Sequence, residues 1–145
     1  MRAGENLMVK ILENGAGINI VKSGALPEPG TFLAPVEINK CNSFKVPKRK
    51  TDWLGGRYAA KTLLASITGR KDLENIEISY DDYGRPRATG MTISISHSGG
   101  WALAAVKPGS GDFIGADMEL IENRAAAWYA DYFAPGELSG NEPSE

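Results

Sequence analysis

The sequence predicts an α+β fold, an antiparallel sheet with helices packed on one face, and three observations carry that expectation. Residues 91–96 alternate apolar and polar, Gly99-Gly100 supplies a tight connection, and residues 101–106 return as a second strand. Trp53, Gly56, Ala60, Leu63, Leu64 and Ile67 recur at helical spacing and mark one buried stripe. Strands and helices also occupy separate stretches instead of alternating as βαβ units.

Taken in order, Met8-Val9-Lys10-Ile11-Leu12 and Ile18-Asn19-Ile20-Val21 read as short strands around the turn composition Asn14-Gly15-Ala16-Gly17. Leu26-Pro27-Glu28-Pro29-Gly30 and Ala34-Pro35 read as repeated breaks, so that stretch is expected as loop or edge. Thr51 or Asp52 can cap a helix that runs to about Thr68, with Gly69 as its stop. Ile76-Glu77-Ile78-Ser79-Tyr80 alternates like a half-buried strand, and Asp81-Asp82-Tyr83-Gly84-Arg85-Pro86 turns the chain. A third strand is expected over residues 113–120 and a helix over 122–133, stopped by Pro135-Gly136. No internal repeat or low-complexity tract stands out.

Over 145 residues the net charge is only -2, which gives no overall push toward nucleic acid or an anionic membrane. The charges are unevenly placed. Residues 45–61 hold six basic side chains against Asp52, and residues 112–145 hold eight acids against Arg124. Two solvated faces of opposite sign would look like this, and so would a site holding an anion and a metal ion between two halves. The lone Cys41 excludes an internal disulfide and a cysteine-based zinc site and is expected as a buried, neutral thiol. No apolar run approaches the roughly 20 residues of a membrane span and no secretory signal is evident, so a cytoplasmic protein is expected.

The candidate site residues follow from strand geometry. On a strand over 113–120, Asp117 and Glu119 point to one face about 6.6 Å apart, close enough to share one hard cation such as magnesium. An ordinary exposed strand face needs no ligand and remains the alternative. His97, the only histidine, ends the strand Ile93-Ser94-Ile95-Ser96, where its imidazole could bond a phosphate oxygen or simply be a satisfied structural group. Arg57 and Lys61 lie one turn apart on the predicted helix. Like charges at that spacing disfavour a helix by a few tenths of a kcal/mol, a conflict that an anion against that face, or plain solvation, would remove. Arg85, in the turn Gly84-Arg85-Pro86-Arg87, has the shape best suited to phosphate. No Gly-x-Ser-x-Gly element and no acid–histidine–serine set supports serine hydrolysis.

Read together, these pieces resemble the 4'-phosphopantetheinyl transferases of the longer, surfactin-synthetase-activating type built from two similar halves. Arg49-Lys50-Thr51-Asp52-Trp53-Leu54-Gly55-Gly56-Arg57-Tyr58-Ala59-Ala60-Lys61 resembles the family's basic helix, and Tyr83-Gly84-Arg85-Pro86 its Gly-Lys/Arg-Pro turn. Ser94-Ile95-Ser96-His97-Ser98 resembles the Ser-His-Ser motif closing the first half, and Ile114-Gly115-Ala116-Asp117-Met118-Glu119 the Gly-Ile-Asp-Ile-Glu strand opening the second. Ala130-Asp131-Tyr132-Phe133-Ala134-Pro135-Gly136-Glu137 resembles the Phe-x-x-x-Glu that follows. The resemblance implies that magnesium and coenzyme A are bound and that a serine of an apo carrier protein attacks the coenzyme A pyrophosphate. The phosphopantetheine arm is then transferred and adenosine 3',5'-bisphosphate leaves. It implies Asp117 and Glu119 as metal ligands with His97 as the third catalytic residue. It also implies Arg49, Arg85, His97 and Ser96 as contacts to coenzyme A, with Arg57 and Lys61 as looser candidates that could be structural or face the partner. Partners would be coenzyme A and the carrier protein, with no nucleic acid and no membrane.

The family's Trp-x-x-Lys-Glu helix has no match here, the last lysine being Lys107 and the last tryptophan Trp128. Residues 1–111 are therefore expected to form the N-terminal lobe and residues 112–145 the truncated start of a C-terminal lobe. A second polypeptide or self-association would complete it, and apolar surface on 113–120 and 125–133 would be left unpartnered. Two other functions fit the same residues: a non-catalytic coenzyme A or carrier-protein binding module, and a magnesium-dependent phosphohydrolase whose water-activating base is not identifiable.

Overall fold

The computed structural model describes residues 9–109, 111 and 113–138. Its centre is a six-stranded sheet in the order β1-β2-β6-β5-β4-β3, every neighbouring pair antiparallel. The strands are β1 (Lys10–Ile11), β2 (Gly17–Lys22), β3 (Ser79–Tyr80), β4 (Pro86–Ala88), β5 (Met91–Ser98) and β6 (Trp101–Pro108). Two helices, α1 (Pro35–Ser43) and α2 (Pro47–Thr68), connect β2 to the β3 side, and α2 packs on β2, β6 and β5. A short helix α3 (Ala126–Tyr132) follows the sheet. The expected α+β class is therefore the observed one.

The β5–β6 hairpin closes with Ser98 opposite Trp101, and Gly99 and Gly100 take φ of 58° and 83°. Those left-handed angles match a two-residue turn whose twist suits the flanking strands. Val21, Ile93, Ala102, Ala104 and Val106 face Ala59, Ala60, Leu63 and Leu64 of α2 in the main core. Contact is close because α2 carries glycine where the sheet comes nearest. A Cβ on Gly55 would lie 2.2 Å from the Ser23 hydroxyl, and one on Gly56 would lie 2.8 Å from Ile95. A second cluster, Phe32, Leu33 and Cys41, sits between α1 and α2, which makes Cys41 the buried thiol expected.

Five expectations need correction. The stretch containing Ala34-Pro35 opens helix α1, because proline at the first helical position loses no hydrogen bond and already has helical φ. The Glu37 carboxylate accepts the Ala34 N–H at 2.9 Å and caps the same helix. Helix α2 likewise starts at Pro47, after Val46, and not at Thr51 or Asp52. Of residues 76–80 only Ser79–Tyr80 is strand, and residues 113–120 form an extended segment outside the sheet. The helix expected over 122–133 is confined to Ala126–Tyr132. Met8 and Asp112 lie outside the described residues.

Polar side chains are built into the core. Lys61, fully buried, donates to the Phe32 carbonyl at 2.8 Å and to the Glu37 carboxylate. Arg57 donates to the Ile78 carbonyl at 3.2 Å and lies 3.7 Å from the other Glu37 oxygen. Burial pushes the Lys61 ammonium below its usual pKa, and the Glu37 carboxylate pulls it back. The anion that the Arg57–Lys61 spacing asks for is thus Glu37 of the chain itself. Asn19, fully buried on β2, donates to Thr62 at 2.7 Å and to the Ala59 carbonyl at 3.1 Å.

Glu37→Ala should cost about 3–5 kcal/mol, because it leaves buried cations without a carboxylate. The double change Glu37→Leu with Lys61→Met should recover most of that in urea unfolding, and a single-mutant loss below about 1 kcal/mol would remove the anchoring role. The 81–85 turn yields a second prediction. Asp81 accepts the Tyr83 and Arg85 amides and the Arg85 and Arg87 guanidiniums. The Arg85 amide first, then both guanidiniums, lowers its pKa to about 2. A carboxylate depressed on folding stabilises fully above its unfolded value of about 3.9 and loses that contribution as pH falls further. The Asp81 carboxyl resonance should therefore titrate near pH 2, and a midpoint near 4 would contradict the turn geometry.

Candidate functional site

The first turns of α2 and the end of β5 form the floor of a cleft of about 890 Å³. From α2 come Arg49, Asp52, Trp53, Gly56 and Arg57, and from β5 come Ile95 and His97. Lys40, Phe44 and Lys45 from the α1 end form one wall, and Tyr80, Gly84 and Pro86 form the other. Arg49, Trp53 and Arg57 are four residues apart on α2, so they stack on one helical face. The Arg57 guanidinium lies between the Trp53 ring, 5.3 Å from its centre, and the Tyr80 ring at 4.9 Å. Two flat cationic contacts hold it in one orientation.

Lys40, Lys45, Arg49 and Arg57 line the cleft against the single acid Asp52, and the helix end beside it adds further positive charge. Lys48, Arg49 and Lys50 occupy the first turn of α2, which has no acidic residue. Their charges oppose the positive end of the helix dipole, so an anion above that end relieves both. Arg49 is exposed and makes no ion pair among the described residues. Asp52, only 7% exposed, is the counter-charge. It takes Lys48 at 2.8 Å and stands 3.7 Å from Nδ1 of His97.

Of the residues singled out from sequence, the fold brings Arg49, Arg57 and His97 together in this cleft. Arg85 is turned to Asp81, 2.8 Å away, although its neighbours Gly84 and Pro86 line the cleft. Lys61 is committed to Glu37 and Phe32 inside the core. Asp117, Glu119 and Ser96 belong to the opposite face of β5.

On that face Ser94, Ser96 and Ser98 form a row of hydroxyls along which the 113–120 segment lies. Their oxygens accept the backbone N–H of Ala116, Met118 and Leu120 at 3.1, 3.4 and 3.2 Å. Ser96 donates to the Asp117 carboxylate and Ser98 to Glu119 at 3.0 Å. The two acids therefore lean to one side of their segment, as their spacing predicts. The Ser96 hydroxyl, then the Met118 amide, lowers the Asp117 pKa from its ordinary value. Among the described residues no group of three or more His, Cys, Asp or Glu side chains converges to hold a metal ion.

Sequence reasoning missed Lys40, Phe44, Lys45 and Trp53 as cleft walls and Asp52 as the neighbour of His97. Asp52 was legible as the partner of Lys48 four residues earlier, a spacing that pairs opposite charges on a helix. Lys40 was not, because Ala34-Pro35 was read as a break and no element was assigned to residues 36–43.

Comparison with known proteins bears on the family and the fold. Residues 42–107 match the family model of the 4'-phosphopantetheinyl transferase N-terminal domain. A Lactococcus lactis holo-[acyl-carrier-protein] synthase is 36% identical over 85 residues, spanning 51% of this chain and 71% of that protein. A Geobacillus kaustophilus holo-[acyl-carrier-protein] synthase is 32% identical over 111 residues, spanning 63% of this chain and 85% of that one. In three dimensions the fold superimposes on Helicobacter pylori holo-[acyl-carrier-protein] synthase in complex with coenzyme A with a TM-score of 0.52 and 22% identity, over 64% of this chain and 98% of that one. No helix among the described residues is long and apolar enough to cross a membrane. The chain belongs to the 4'-phosphopantetheinyl transferases, the superfamily of the holo-[acyl-carrier-protein] synthases that it matches.

Proposed function

We propose that this chain moves the 4'-phosphopantetheine arm from coenzyme A to a serine hydroxyl of an apo carrier protein, as part of a transferase of the two-half type. The observation that carries this is the cleft, where Arg49, Arg57 and His97 meet beside aromatic walls. The cleft lies in a fold shared with a protein that binds coenzyme A. Coenzyme A carries phosphates at one end and an adenine ring, and a cleft with cations and flat faces suits both.

In this reading Arg49 and His97 contact the phosphates and the adenylate end. Arg57, fixed between Trp53 and Tyr80, adds charge without needing to move. Arg85 reaches the cofactor by leaving Asp81. Transfer of a phosphoryl group depends on positioning and charge neutralisation more than on covalent help from the protein. The serine oxygen of the carrier forms the new bond to phosphorus, and adenosine 3',5'-bisphosphate leaves.

Asp117 and Glu119 are the proposed holders of magnesium. The fit rests on their donor chemistry, two oxygen ligands leaning from one side of an extended segment, which suits an ion that keeps several waters and takes substrate phosphate. Bound there, the ion would neutralise developing charge on the diphosphate. These acids now rest on the β5 hydroxyl row, on the face away from His97, so in this reading the 113–120 segment shifts when coenzyme A and metal bind.

A transfer assay with labelled coenzyme A and an apo acyl carrier protein tests the whole reading. Binding with no transfer would demote the chain to a cofactor-binding module. Arg49→Ala and His97→Ala should each weaken coenzyme A binding by about tenfold or more in calorimetry, the usual worth of a charge-assisted hydrogen bond. Unchanged affinity in both would clear the cleft of any role. Asp117→Ala should abolish the magnesium-dependent part of coenzyme A binding and leave the metal-free part intact.

A further inference from the structure

We infer that Asp52 is a positioning residue that acts through His97, fixing which ring nitrogen carries the proton and turning the other toward the cleft. Asp52 is almost fully buried one helical turn before Gly56. The missing side chain at Gly56 lets Ile95 of β5 approach α2, and His97, two residues further on the same strand face, arrives beside Asp52. The ring presents Nδ1 to the carboxylate at 3.7 Å. At that distance the contact is an electrostatic approach longer than a hydrogen bond, and a carboxylate that can only accept favours the proton on the nitrogen that faces it. Nε2 is then turned to the cleft, as an acceptor in the neutral ring and, in the protonated ring whose charge Asp52 balances, as the N–H that donates to a phosphate oxygen. Lys48 donates to the same Asp52 oxygen at 2.8 Å from a side chain that is 80% exposed, so Asp52 is shared between an exposed ammonium and the ring. Arg49, Lys50 and Arg57, the other charges on this part of α2, carry no acceptor that could orient the ring.

The spectroscopic part of this inference stands by itself, and only its consequence for coenzyme A rests on the function proposed above. Because His97 is the single histidine, its two ring nitrogens give one unambiguous set of signals in a long-range 15N–1H correlation spectrum. In alkaline buffer, with the ring neutral, the wild-type chain should show the Nδ1–H tautomer. Asp52→Ala should move the population toward Nε2–H, and Asp52→Asn, which keeps an oxygen acceptor, should restore Nδ1–H. In calorimetry Asp52→Ala should weaken coenzyme A by about tenfold, and in the His97→Ala background it should add little. An unchanged tautomer in Asp52→Ala, or fully additive losses in the double variant, overturns the inference. A wild-type chain that shows the Nδ1–H form and has no affinity for coenzyme A refutes the transferase reading while sustaining the Asp52–His97 pairing.

Discussion

The approach of α2 to the sheet is the constraint on which the rest of this molecule depends. Gly55 and Gly56 leave no side chain where Ser23, Ala102 and Ile95 come nearest. Ala59 and Ala60 continue the same narrow seam against Ala102 and Ala104. A helix held this close to β5 gives the cleft its floor and places α2 residues within reach of a strand-end imidazole. Larger residues at these positions would separate the layers, and the cations of α2 would then face solvent instead of a concave surface. Packing density in such a seam leaves little room for adjustment.

The second organising element is ionic. Glu37 closes the N-terminus of α1 through the Ala34 amide and meets Lys61 and Arg57 of α2 inside the protein. One carboxylate therefore fixes the orientation of α1, whose far end carries Lys40 into the cleft wall, and of Arg57, which is part of the cleft itself. Buried ion clusters of this kind contribute little net stability compared with apolar packing. Here the arrangement specifies which way two helices and one guanidinium face, so geometry at the cleft is tied to polar contacts in the core.

The central hairpin, the α2 stripe and the α+β class were legible because each rests on periodicity, which a single sequence displays directly. Helix α1 was hidden by Pro35, read as a breaker when it was a starter. Arg57 and Lys61 were correctly seen as a charge conflict, yet the resolving anion lay on a helix that had not been recognised. His97, Arg49 and the paired acids were legible as residues. Their grouping was not, because the face of β5 on which the 113–120 segment rests is set by tertiary contacts that no local pattern encodes. The serines of β5 looked like an ordinary polar alternation and turned out to bind a backbone.

That hydroxyl row differs from a strand pairing in one important respect. A β-ladder holds a segment through fixed main-chain groups, so releasing it opens the sheet edge. Ser94, Ser96 and Ser98 hold their passenger through single rotatable bonds, and each hydroxyl can turn to water when the passenger departs. The acidic stretch is therefore held by side-chain hydroxyls, apart from the main-chain hydrogen bonds that join β5 to β6. Two carboxylates are thereby mounted on a strip that lies outside the hydrogen-bonded sheet.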